Sequence, residues 1–221
     1  MMWAIVPIKR FEQAKERLAS VLKAPERKAL MLAMARDVLC ALSRCQRLCG
    51  ILLVSRAPQA KALAEAFGMR QFAESAEATL PEALGEARDH AVEELGARGI
   101  FIVHADAPLI DPVEIDGLIA AHQGVTLLPD TKRIGTNGMI CTPPDAIPFV
   151  FDGKSFSAHA EHARRAGLGP RVVDGSCLAL DIDTPADLVQ LLRRAPSSQT
   201  GTYLQNSGVA ERLAGVDNEA P

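Results

Sequence analysis

Apolar positions along the chain follow two rhythms. Short unbroken runs at Trp3 to Ile8, Ile51 to Val54, Ile100 to Val103, Val125 to Leu128, Met139 to Cys141 and Leu178 to Ile182 have the length of buried strands. Between most of them the apolar spacing lengthens to three and four residues. Pro25 opens one such stretch at its first turn, followed by Leu30, Leu32, Met34, Val38, Leu39 and Leu42. Pro58 to Phe67 and Pro81 to Leu95 read the same way. Asp111 is placed to cap the next helix, with Pro112 at its first position and Glu114 set for a capping box.

Strands alternating with helices predict an α/β fold, a Rossmann-like, mostly parallel sheet with helices on both faces. Such sheets bind ligands beyond the carboxyl ends of their strands. With 221 residues and 48% apolar content, the chain can bury one large core. Residues 1–194 are expected to form a single domain. From Ala195 onward the composition turns to Ser, Gln, Thr, Gly and Asn, which predicts a flexible tail over 195–221, free to cross to a second subunit of a homodimer. There is no internal repeat.

A formal charge of -3 and a pI near 6.0 argue against a general nucleic-acid or membrane-surface binder. No apolar run approaches the roughly 20 residues that cross a bilayer, and the N-terminus lacks the layout of a signal peptide, so a cytoplasmic protein is expected. Cys40, Cys45, Cys49, Cys141 and Cys177 lie in or beside apolar segments and read as buried free thiols. The first three lack the spacing of a zinc set.

Candidate chemistry gathers where the strands end. The first apolar run opens into a loop carrying Lys9, Lys15 and Arg17, with no glycine before Gly50. A phosphate site there would be built from side chains, not from the backbone amides of a glycine-rich loop. Asp106 follows the Ile100 to Val103 strand; it either caps the turn before Pro108 or helps to hold a magnesium ion between protein and triphosphate. In the Leu178 to Ile182 run, strand alternation puts Asp181 and Asp183 on one face, able to address one cation. Thr184, Pro185 and Asp187 read as a helix start. The loops Arg133 to Gly138 and Phe151 to Phe156 are ordinary turns, or sites where Thr136 and Ser155 donate to phosphate or carboxylate oxygens and Lys154 adds charge. His159 and His162, three apart on the helix that follows, read as a solvated face.

Taken together, Val6-Pro7-Ile8-Lys9, Ala14 to Leu18, Ala105-Asp106-Ala107-Pro108-Leu109, Gly135-Thr136-Asn137, Ser155-Phe156 with His159, and Leu180 to Pro185 resemble the 2-phospho-L-lactate guanylyltransferase family. The resemblance runs in order from about residue 3 to residue 193. It implies a nucleotide-diphospho-sugar transferase-like fold and guanylyl transfer from GTP, with Mg2+, to a small phosphorylated three-carbon acid. The acceptor is 2-phospho-L-lactate, phosphoenolpyruvate or 3-phospho-D-glycerate, and the product feeds coenzyme F-420 assembly. On this resemblance Lys9, Lys15 and Arg17 surround the triphosphate, Asp106 with Asp183 and Asp181 binds metal, and Thr136, Asn137 and Ser155 bind the acceptor. The chain departs from the family where Gly-Leu-Asn-x-Ala-Leu becomes Thr79-Leu80-Pro81-Glu82-Ala83-Leu84, and where Asp152 replaces a glycine ahead of Ser155. The alternatives are a related nucleotidyltransferase of the molybdopterin type, whose first loop is normally glycine-rich, and a catalytically silent nucleotide-binding homologue.

Overall fold

A computed structural model of the chain describes residues 1–8 and 15–216. Lys9 lies outside the described residues. Seven strands, β1 (Met2–Pro7), β2 (Gly50–Val54), β3 (Arg70–Phe72), β4 (Gly99–Val103), β5 (Val125–Pro129), β6 (Thr136–Cys141) and β7 (Arg171–Val172), form one sheet in the order β3-β2-β1-β4-β6-β5-β7. β1 pairs in parallel with both β2 and β4, so the strand order reverses beside β1. In doubly wound sheets that reversal opens a crevice at the carboxyl edge. β6 runs against both its neighbours, β4 and β5. Its first residue, Thr136, therefore starts at the edge where the parallel strands end.

Side-chain alternation assigns the two faces. Ala4, Val6, Phe101 and Val103 point into one layer and Ile5, Ile100 and Ile102 into the other. Buried residues of α1 (Ala24–Leu42), α2 (Pro58–Phe67), α4 (Pro112–Ala120) and α6 (Pro185–Arg194) pack on the first face. Those of α3 (Leu80–Glu93) and α5 (Ser155–Arg165) pack on the second. The expected α/β architecture is present, with β6 as its antiparallel strand.

Four expectations need correction. Leu178 to Ile182 is not a strand of the sheet but an irregular segment laid across its carboxyl edge. The Ala179 carbonyl accepts from Thr131 N–H at 3.0 Å and the Ile182 N–H donates to the Asp106 carbonyl at 3.0 Å. The close crossing needs Gly138, because a Cβ there would stand 2.8 Å from both Leu128 and Leu178 side chains. The capping box of α4 is half formed: Asp111 accepts from Glu114 N–H at 2.8 Å. The Glu114 carboxylate instead accepts from Cys177 N–H at 2.9 Å, which anchors the start of the crossing segment.

The third correction is the tail. α7 (Gln199–Asn206) and α8 (Val209–Val216) follow α6, and Leu204, Val209 and Leu213 are buried in the same core as α1. Asp37 on α1 caps α7, accepting from Gln199 N–H, Thr200 N–H and the Thr200 hydroxyl at 2.9, 2.9 and 2.6 Å. Polar composition hid a sparse apolar stripe that α1 and α6 complete. A fourth concerns the cysteines: all are free, but only Cys45, Cys141 and Cys177 are buried as expected, while Cys40 is half-buried and Cys49 is exposed. No described helix is long and apolar enough to cross a membrane.

Candidate active site

A cleft of about 620 Å³ lies over the carboxyl edge and is lined by Lys15, Arg17, Asp106, Asp181 and Asp183, with Thr136, Asn137 and Ser155 further along. Each expected site residue other than Lys9 thus reaches one cleft. Asp106 arrives on the turn after β4, next to β1 in the sheet, and the crossing segment brings the other two acids over it.

Lys15 is the hub. Its Nζ donates to Asp106 Oδ2 at 2.6 Å and to Asp183 Oδ1 at 2.7 Å, with only 7% of its side chain exposed. Burial pulls the ammonium pKa down, but the Asp106 and Asp183 carboxylates outweigh it and hold the pKa above the ordinary lysine value. Burial pushes the Asp106 carboxyl up, and Lys15 followed by His104 more than reverses that, leaving it below the usual carboxylate range. Arg17 is largely exposed, its nearest guanidinium nitrogen 3.8 Å from Asp183 Oδ2.

Asp181 behaves in the opposite sense. Burial raises its pKa first, and the Asp106 carboxylate raises it further, against the hydrogen bond from Asn137. Asp106 and Asp183 share the one buried ammonium, and Asp181 stands close enough to feel both carboxylates, so the acids outnumber the lysine. Among the described residues no group of three or more His, Cys, Asp or Glu could hold a metal by itself.

Asn137 is in the cleft, but its amide hydrogens go to the protein. Nδ2 donates to the Leu178 carbonyl at 2.9 Å and to Asp181 Oδ1 at 3.2 Å, so this side chain ties the crossing segment down and orients an acid. Thr136 and Ser155 lock together, with Thr136 N–H donating to Ser155 Oγ at 3.1 Å. Ser155 is the first residue of α5, so its buried hydroxyl sits at a helix N-terminus, where the backbone dipole favours an anion. Lys154 is exposed, and Asp152 accepts from Lys154 N–H at 2.9 Å, turning its carboxylate onto its own loop. Thr79 and Glu82 form a capping box at the start of α3.

His159 corrects the sequence reading. It is fully buried, bonded through Nδ1 to Thr136 Oγ1 and through Nε2 to Val150 N–H, both at 3.0 Å. Burial, and after it the neighbouring His162, drops its pKa to about 4. Phe151 stacks edge-on between His159 and His104, with ring centroids 5.0 and 5.2 Å away. The signal for this was its i, i+4 spacing from Ser155, which puts both on one helix face beside Phe156, Ala160 and Ala163.

The doubly wound sheet carries its cleft at the carboxyl edge, where such folds bind ligands. Two solved structures share the fold. One, from Desulfovibrio desulfuricans G20 and assigned to the nucleotide-diphospho-sugar transferases, superposes with a TM-score of 0.76 at 19% identity, covering 96% of this chain and 97% of that one. The other, a nucleotidyl transferase from Methanothermobacter thermautotrophicus, gives 0.63 at 14% identity, covering 93% and 99%. The family model for "Guanylyl transferase CofC like" proteins matches residues 2–214, and the chain belongs to that family. Among its relatives, a phosphoenolpyruvate guanylyltransferase of Conexibacter woesei is 36% identical over 215 residues, 96% of each chain. One of the same name from Sphaerobacter thermophilus is 40% identical over 205 residues, 90% of this chain and 98% of that one. A 2-phospho-L-lactate guanylyltransferase of Methanothermobacter thermautotrophicus is 32% identical over 204 residues, 91% and 89%.

Proposed function

We propose that the protein joins GMP from GTP to a small phosphorylated three-carbon acid and releases pyrophosphate, a step of coenzyme F-420 biosynthesis. The observation that carries this reading is the Lys15 ammonium bridging Asp106 and Asp183 in the cleft, 2.6 and 2.7 Å from their oxygens. Names of the relatives supply the substrates: phosphoenolpyruvate for two and 2-phospho-L-lactate for the third.

An acceptor phosphate oxygen attacks the α-phosphorus of the nucleotide in line, and pyrophosphate leaves. The second pKa of a phosphate monoester lies near ~6, so the nucleophile is ionised at neutral pH and needs no general base. The obstacle is bringing two anions together, and the chain's own residues meet it with placed charge. Lys15 presents a buried point charge, and Arg17 can grip two oxygens at once. Thr136 and Ser155 present hydroxyls at the N-terminus of α5 to the acid. Asp106 and Asp183, with Asp181 beside them, would hold a Mg2+ ion, which would supply further neutralisation of the phosphate charge.

Pyrophosphate release measured with each of four nucleoside triphosphates against phosphoenolpyruvate, 2-phospho-L-lactate and 3-phospho-D-glycerate tests the reading. Turnover is expected with GTP and at least one of the acids, dependent on Mg2+, and absent in a folded Asp106→Asn variant. Full activity of Asp106→Asn would remove that residue from the site.

A further inference from the structure

The His159 hydrogen bonds have a fixed polarity. A backbone N–H can only donate, so the contact from Val150 N–H at 3.0 Å makes Nε2 an acceptor that carries no proton. In the neutral ring the proton then sits on Nδ1 and is donated to Thr136 Oγ1 at 3.0 Å. Having accepted from His159, the Thr136 hydroxyl has its own hydrogen left to give. Thr136 lines the cleft, and so does Ser155, whose Oγ accepts in the same way from Thr136 N–H. Both residues line the cleft, and each keeps its hydroxyl hydrogen because the buried N–H group behind it is a donor.

We infer that His159 is a positioning residue: by donating to Thr136 Oγ1 it leaves the hydrogen of that hydroxyl free to be given to the ligand, so that this end of the cleft favours the accepting oxygens of a carboxylate or phosphate. This rests on the proposed reaction for the identity of the ligand. The chain from Val150 through His159 to Thr136 does not depend on it. The tautomer protonated at Nε2 would bring two N–H donors together at Val150, so the contact from Val150 also keeps the chain in one direction.

Two conservative variants separate positioning from scaffolding. His159→Asn offers an amide N–H from the place of Nδ1, and His159→Gln offers an amide oxygen from the place of Nε2. The first retains the Thr136 contact and the second the Val150 contact. His159→Gln is expected to raise the KM for the acid roughly tenfold, with the KM for GTP and kcat within about twofold of wild type; His159→Asn should stay within about threefold on all three. Thr136→Val should cost as much as His159→Gln, and the double variant no more than either alone. Nitrogen NMR of the imidazole in the wild-type protein reads the tautomer directly, with Nδ1 protonated and Nε2 bare. A proton on Nε2, full rescue by Gln with loss in Asn, or additive effects of the two substitutions would each overturn the inference. Absence of turnover with every nucleotide and acid in wild type, with the tautomer as expected, contradicts the reaction and leaves the polarity of the hydroxyls standing.

Discussion

Lys15 adopts a left-handed backbone, φ 60° and ψ 44°, a conformation that costs a non-glycine residue on the order of 1 kcal/mol. The two ion pairs made by its side chain hold it there. Removing the charge while keeping the bulk, as in Lys15→Met, leaves the acids of the cleft facing each other without the ammonium. Steady-state kinetics on this variant should show kcat lowered by about 100-fold or more, the scale of losing one preorganised charge at a transition state. A loss under threefold would place Lys15 outside the chemistry. His159 offers a test of a different kind. Its folded pKa of about 4 lies below the ordinary value of 6.5, so the fold favours the neutral ring. The corresponding stability is present in full above pH 6.5 and drains away as pH falls toward 4, by roughly 2 kcal/mol between pH 7.5 and pH 5. Chemical denaturation at those two pH values should therefore show wild type losing more stability than His159→Gln by about that amount.

Among the elements, α7 depends on a cap supplied from another helix. Asp37 accepts three hydrogen bonds at the start of α7, so Asp37→Ala should cost about 1 to 3 kcal/mol in urea denaturation, with the loss centred on α7 and α8 in hydrogen exchange. Unchanged protection of these helices would show that apolar burial alone holds them. The sequence conceals this cap, because donor and acceptor lie about 160 residues apart. Local signals were read well: Pro58 to Phe67 is a helix with those bounds, and Thr184 and Asp187 form their capping box. Signals that depend on a distant partner were read poorly. Glu114 has the right position for a box and is recruited by Cys177 N–H instead. Leu178 to Ile182 has the apolar content of a strand, yet its backbone bonds go to Thr131 and Asp106 at the edge of the sheet.

At the scale of the molecule, alternating strands and helices were enough to place the ligand crevice, because the strand order reverses beside β1 whatever occupies the loops. Asp106, Asp181 and Asp183 could be picked out as acids following apolar runs. That Asp106 and Asp183 share one buried lysine while Asn137 holds Asp181 beside them is a tertiary fact carried by the crossing segment. On the proposed function, this cleft joins a nucleotide to a phosphorylated acid. Phosphorus NMR of GTP incubated with the protein, Mg2+ and each acid in turn tests it most directly. Pyrophosphate together with a new unsymmetrical diphosphate, seen as two mutually coupled resonances, is expected for at least one acid. Release of GMP or GDP without that coupled pair, or GTP left unchanged with all three acids, would contradict it.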